Sequence, residues 1–201
     1  MPSETHATAS SFRRKAPGPR ARARLWLTAV LATLAACGGS EPDPTEPPAG
    51  AEAVPEGDAF ELGGLRYQVD LARQINPNIA PGSDYYQGPG APPGSLLFAV
   101  FLTACNEGEQ TRPAAERLRL VTAFGDRLRP KTLPDANVFA YQARPVEPAT
   151  CIPREDSAAA RAAEGAMLLF EIPLEKYNNV QLKLEVTAPD GDTSRLVELD
   201  V

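Results

Sequence analysis

Apolar and polar residues alternate in three stretches of the chain. Leu65, Tyr67, Val69 and Leu71 alternate with Arg66, Gln68, Asp70 and Ala72, the period of two that marks a half-buried β-strand. Near the end, Leu182, Leu184 and Val186 point one way while Gln181, Lys183 and Glu185 point the other. Val197, Leu199 and Val201 repeat the scheme after Pro189-Asp190-Gly191-Asp192, which predicts a terminal hairpin. Two runs are apolar without alternation, residues 96–102 and residues 166–170 with Ile172, and are expected as central strands. Leu118, Leu120 and Thr122, then residues 128–133, then residues 138–141, predict shorter strands separated by Gly125-Asp126 and Pro134-Asp135. Only residues 157–164 carry a helical signal, alanine-rich, with Asp156 or Ser157 as N-cap and Gly165 placed to stop the turn. Many short strands with hardly any helix predict an all-β fold, an antiparallel β-sandwich with one short helical turn.

Ahead of this pattern the apolar residues follow a different logic. Arg13, Arg14, Lys15, Arg20, Arg22 and Arg24 precede an apolar run over residues 25–36 that ends in Leu34-Ala35-Ala36-Cys37. The order is that of a signal peptide closed by a lipobox: small residues before the cut, then a cysteine whose thiol takes a diacylglyceryl group. The run is too short for a permanent span, which needs about 20 residues. Export by the general secretory route is expected, because Arg13-Arg14 is followed by Lys15-Ala16-Pro17 rather than by the hydrophobic pair of a twin-arginine signal. The expected organisation is a lipoprotein signal peptide over residues 1–36, a lipidated Cys37 with a disordered Pro/Glu-rich tether to residue 58, and one domain over residues 59–201. That domain has roughly 140 residues, a common size for a single unit. In the tether, Glu41, Asp43, Glu46, Glu52, Glu56 and Asp58 repel one another among prolines, which keeps it extended. The chain is thus expected on the extracytoplasmic side of the cell membrane, lipid-anchored through Cys37.

Loss of the leader changes the chemistry available. His6 and Trp26 leave with it, so the remaining chain has neither histidine nor tryptophan. Six of the 20 Lys and Arg and one of the 26 Asp and Glu also leave, so 14 face 25 and the formal charge becomes −11. A nucleic-acid partner is disfavoured, because phosphate binding needs a basic face. Without imidazole a Ser-His-Asp triad is excluded, as are histidine-based metal sites and a His-activated cysteine. Asp190, Asp192, Glu107 and Glu109 remain as acidic candidates, read as turn and loop-tip residues rather than a calcium loop. No catalytic residue, cofactor or metal is assigned. Cys105 and Cys151 form an even pair in an exported domain and are expected as a disulfide from the end of a central strand to the loop before the helical turn. Residues 76–95 form a long loop in which Ile79, Tyr85 and Tyr86 sit among prolines and glycines. It is read either as a binding loop or as a crossing that drops its tyrosines over the sandwich edge.

The stretch Phe98-Ala99-Val100-Phe101-Leu102 ending in Asn106-Glu107-Gly108, residues 121–130, and residues 165–173 ahead of 180–186 resemble the strand-and-turn order of bacterial immunoglobulin-like, telokin-like extracytoplasmic domains of unknown function. The resemblance covers nearly the whole domain and implies an immunoglobulin-like sandwich behind a lipoprotein signal. The abundance of Ala, Arg, Pro and Gly is similar to that of a high-GC actinobacterial source. The chain departs from the antibody pattern in having no tryptophan against its cysteine pair. The function expected is a non-catalytic interaction or accessory module with an envelope protein partner. The first alternative is a small-ligand or metal carrier with a cavity lined by Tyr67, Phe98 and Phe101. The second is a carboxylate-dependent hydrolase.

Overall fold

The computed structural model describes residues 53–162, 165–177 and 181–200; the expected leader, Cys37 and most of the tether lie outside them. Among the described residues, twelve strands and three short helices follow in order. They are β1 Val54–Pro55, β2 Ala59–Leu62, β3 Leu65–Ile75, α1 Gly82–Tyr85, β4 Ser95–Asn106, β5 Arg112–Pro113, β6 Arg117–Val121, β7 Arg127–Leu128, β8 Pro145–Val146, β9 Thr150–Ile152, α2 Ala158–Ala162, β10 Ala166–Pro173, α3 Leu174–Tyr177, β11 Leu182–Thr187 and β12 Ser194–Leu199. One sheet has the order β1-β12-β11-β6-β7, and the second has the order β10-β4-β3-β2. Strand β9 continues along β4 beyond β10, and β5 and β8 make a separate ribbon. Among the described residues no helix is long and apolar enough to cross a membrane.

The two larger sheets face each other across the main core, as a β-sandwich requires. Leu65, Tyr67 and Val69 of β3, Phe98, Val100 and Leu102 of β4, and Leu168 and Phe170 of β10 meet Leu118, Leu120, Leu182, Leu184, Val186 and Val197 of the other sheet. Each fully buried side chain of this size contributes about 1.5–3 kcal/mol of hydrophobic stabilisation. The expected terminal hairpin is present, with Leu184 opposite Val197 and Lys183 opposite Glu198. The two continuously apolar runs lie side by side, Leu168 opposite Val100 and Phe170 opposite Phe98.

These runs do not alternate because both faces of the second sheet are covered. Leu97, Ala99, Phe101, Met167 and Leu169 point away from the main core into a second cluster with Ile75, Tyr85 and Tyr86. A bulge at Asp70 distributes β3 between the two clusters, since the pairing register shifts between Val69 and Leu71. An extra residue in one strand reverses the facing of the residues after it. Leu71 therefore joins the outer cluster rather than the face of Val69, and Ala72 turns inward.

Several expectations are corrected. Residues 128–133 form no full strand: β7 stops at Leu128, where Pro130 and Pro134 withhold the N–H groups a ladder needs. Residues 138–141 are not a strand but an irregular segment that touches the free edge of β10 through one bridge, Ala140 to Met167. The described residues hold three short helices instead of one, and the fold is not wholly antiparallel, because β1 joins β12 in parallel. The folded unit also reaches back to Val54, into the stretch read as tether. The expected helical turn is α2, where Ser157 Oγ accepts from the Ala160 N–H at 3.2 Å. Beyond it Gly165 has φ +114°, and a Cβ there would fall 2.6 Å from the Leu102 carbonyl oxygen, so only glycine lets β10 begin against β4.

Cys105 and Cys151 are bonded, but Cys151 lies in a strand, not in a loop: the two cysteines are direct cross-strand partners on β4 and β9 with Cα atoms 4.1 Å apart. At the other end of the sandwich two carboxyls titrate in opposite senses. Glu56 accepts from the backbone N–H groups of Ala72 and Asp200, each at 3.0 Å, and burial raises its pKa. Asp126 lies 2.8 Å from Lys176 Nζ, and this bond lowers its pKa. Asp126 therefore supports the fold above the ordinary carboxylate pKa and loses that effect as pH falls through its lowered value. Glu56 acts in reverse: its charge opposes folding as pH rises from the ordinary value through the raised one. Side-chain carboxyl NMR titration should place Glu56 above and Asp126 below the ordinary range, with Lys176→Met moving Asp126 back towards it. An Asp126 titration unmoved by that substitution would remove the pair as the cause.

Candidate functional site

The surface that stands out lies where two irregular segments cross the outer face of the second sheet. The first leaves β3 through a turn in which Asn76 Oδ1 accepts from the Asn78 N–H at 2.9 Å. It is closed at α1 by the Tyr86 N–H donating to the Gly82 carbonyl at 3.0 Å. Gly82 is required here because a side chain would collide with the Asn76 backbone, and Gly88 because one would collide with the Tyr86 ring. The second segment comes after β7 and is pinned to the free edge of β10 at both ends. The Lys131 N–H donates to the Leu169 carbonyl at 2.6 Å, and the Tyr141 N–H to the Met167 carbonyl at 2.9 Å. Lys131 Nζ also pairs with Glu171 at 2.7 Å.

Side chains lock the segments to the sheet and to each other. The Tyr85 ring meets Phe101 edge-on at 5.0 Å and Phe139 at 5.3 Å. Asn137 Nδ2 donates to the Tyr85 carbonyl at 3.0 Å, while its Oδ1 accepts from the Phe139 N–H at 2.9 Å. Between the segments runs a groove of about 500 Å3, with Tyr85 and Phe139 among its lining residues and with Asp84, Gln87, Thr132, Asn137 and Val138 beside them. That volume falls within the range of small-ligand sites. Val138 is 62% exposed and also lines an adjoining groove of about 310 Å3 with Gln142, Arg144, Arg154 and Ser157.

The residues singled out from sequence separate on this surface. Tyr85 and Tyr86 keep only 8% and 6% of their exposure, so their rings cover the sheet rather than offer contact area. They cover its outer face, not the sandwich edge. Ile79, 63% exposed, stands on the turn after β3 and does not line the groove. Cys37 lies outside the described residues. Glu107 pairs with Arg66 at 3.2 Å, and Asp190 Oδ1 accepts from the Asp192 N–H at 3.0 Å within the β11–β12 turn. The cavity imagined around Tyr67, Phe98 and Phe101 cannot exist, because Phe98 and Phe101 lie on opposite faces of β4. Tyr67 is a buried acceptor for the Ala115 N–H at 2.9 Å, and Tyr141 donates to the Ala115 carbonyl at 2.9 Å. Burial raises both phenol pKa values, so both rings stay protonated and serve as structure. Gln87, Asn137 and Val138 had no distinguishing signal in the sequence.

No family model matches the chain, and no curated protein matches it. It is similar to an uncharacterized β-sandwich protein of Clostridium difficile 630, 11% identical, over 80% of this chain and 100% of that one, with a TM-score of 0.44. A candidate lipoprotein of Bacillus subtilis, ycdA, is 12% identical over 72% of this chain and 38% of its own, with a TM-score of 0.46. A conserved hypothetical protein of Bacillus anthracis is 12% identical over 72% of this chain and 93% of its own, with a TM-score of 0.43.

Proposed function

We propose that the protein is a lipoprotein held on the extracytoplasmic side of the cell membrane through Cys37, and that its immunoglobulin-like sandwich is a non-catalytic module that binds an envelope protein partner. The groove over the second sheet is its binding surface. The observation that carries this reading is the way the groove is built. Buried rings fix two loop segments to a rigid sheet, and Gln87, Thr132, Asn137 and Val138 are left to line the space between them. Loops held by a stiff scaffold are the usual place for recognition. Among the described residues, Asp84 is the only acidic one lining this groove, which favours binding over hydrolysis by paired carboxylates. The anchor is supported by the lipobox and by the leader before it.

A photo-crosslinking side chain placed at Val138 in cells is expected to give a discrete protein adduct, whereas the same group at Lys183, on the opposite sheet, gives none. Equal adducts at both positions, or none at Val138, would refute the groove as the binding surface. Fatty-acid labelling that persists in Cys37→Ser would refute the anchor separately.

A further inference from the structure

Three of the four exposed large hydrophobic side chains among the described residues, Ile79 at 63%, Phe124 at 70% and Leu174 at 41%, stand at one end of the sandwich. The connections fix this placement. Ile79 comes after the end of β3, where Ile75 lies opposite Leu97 near the start of β4. The Leu174 N–H donates to the carbonyl of Gly94, just ahead of β4, at 2.9 Å. Phe124 crowns the β6–β7 turn, closed by the Gly125 N–H on the Thr122 carbonyl at 2.9 Å, and Asp126 of that turn pairs with Lys176 of α3. Arg127 and Arg129 come after the turn, both exposed; Arg127 Nε pairs with Glu185 at 3.1 Å.

We propose that this end of the domain rests on the bilayer surface, with Phe124 inserted at the interface and Ile79 and Leu174 beside it; the inference rests on the anchor at Cys37. Three single apolar tips, two on loops and one at the start of α3, do not make the continuous patch of about 800 Å2 that a protein partner covers. A fluid interface accepts them without shape complementarity, and the exposed Arg129 beside Phe124 suits an anionic headgroup. Such contacts are weak alone and become effective when a tether keeps the surface close. The tether is long enough. The described residues take up β1 at Val54, opposite Val197 in the second half of β12. Residues 37–53, at about 3 Å per residue, reach about 50 Å, whereas the longest strand, β4, spans about 40 Å. The contact gives the anchored domain a fixed orientation.

The test uses the chain from residue 37 onward. Its one free thiol is Cys37, since Cys105 and Cys151 are bonded, and it lacks tryptophan because Trp26 precedes it. Cys37 is coupled to a maleimide-bearing phospholipid in vesicles of phosphatidylcholine and phosphatidylglycerol, so the result does not depend on lipidation in cells. Phe124→Trp is expected to emit at shorter wavelength and to be quenched at least about twofold by brominated phosphatidylcholine, as for an aromatic ring in the interface. Arg195→Trp, beside the β11–β12 turn at the other end, should be unaffected. Adding Ile79→Ser and Leu174→Ser should weaken quenching at position 124. An unquenched Phe124→Trp, or equal quenching of both probes, would overturn the inference, while fatty-acid labelling of Cys37 tests the anchor on its own.

Discussion

Tyr85→Ala is expected to lower the stability of the domain by about 3–5 kcal/mol, the usual cost of removing a buried aromatic ring. The ring sits between Phe101 on the sheet and Phe139 on the opposing segment. Its loss leaves a cavity under both loops rather than a gap at the surface. Gln87→Ala, in the same loop and at the groove wall, should change stability by no more than about 0.5 kcal/mol. Urea unfolding of the two variants makes the comparison. If Tyr85→Ala unfolds like the parent chain, the outer cluster does not stabilise the second sheet, and the groove loses the rigid floor on which its proposed role depends.

Replacing both Cys105 and Cys151 by serine is expected to cost about 4 kcal/mol in the chain-entropy account, for a loop closed across a sequence separation of 46. The lost cross-link also bears on a local structure, because β9 is held to β4 through only three residue pairs, of which the bonded cysteines are one. Asn106, at the end of the same strand, donates through Nδ2 to the Gln110 and Val146 carbonyls, each at 2.8 Å. Amide exchange should therefore rise first around β8 and β9 in the double variant, while the inner strands β3 and β4 stay protected. A melting temperature that matches the parent would mean that these contacts alone hold the segment.

The strands that could be read from sequence are those whose burial matches a simple period. Leu65, Tyr67 and Val69 show one buried face, and the runs around Phe98 and Leu168 show two. Leu71 misled because the bulge at Asp70 has no composition mark, and the period of two holds only within an unbroken ladder. Strands β1, β5, β7 and β8, two residues each, are too short to carry a period at all. Val138 and Phe139 read as strand because β-formers also suit a covering segment, whose apolar residues pack on a sheet without joining it. For the same reason the groove was illegible: Asn137 gains its role only when Tyr85, distant in sequence, is brought beside it by two loops folding over one face. Tyr85 and Tyr86 were visible as unusual residues, but their direction depends on Gly82 and Gly88 and on the space under the loop.

The parallel pairing of β1 with β12 has a mechanical consequence. Under a load applied between the chain ahead of Val54 and the C-terminal end of β12, β1 is drawn along its own axis past β12, so the backbone bonds at Val54 and Pro55 are sheared together instead of being peeled apart in turn. Glu56, gripping the Ala72 and Asp200 N–H groups, adds two bonds just behind that ladder and one of them reaches the second sheet. Tension arriving through the N-terminal side is thus passed to both sheets at once. The loaded rate of unfolding, rather than equilibrium stability, then sets how long the sandwich survives such a load.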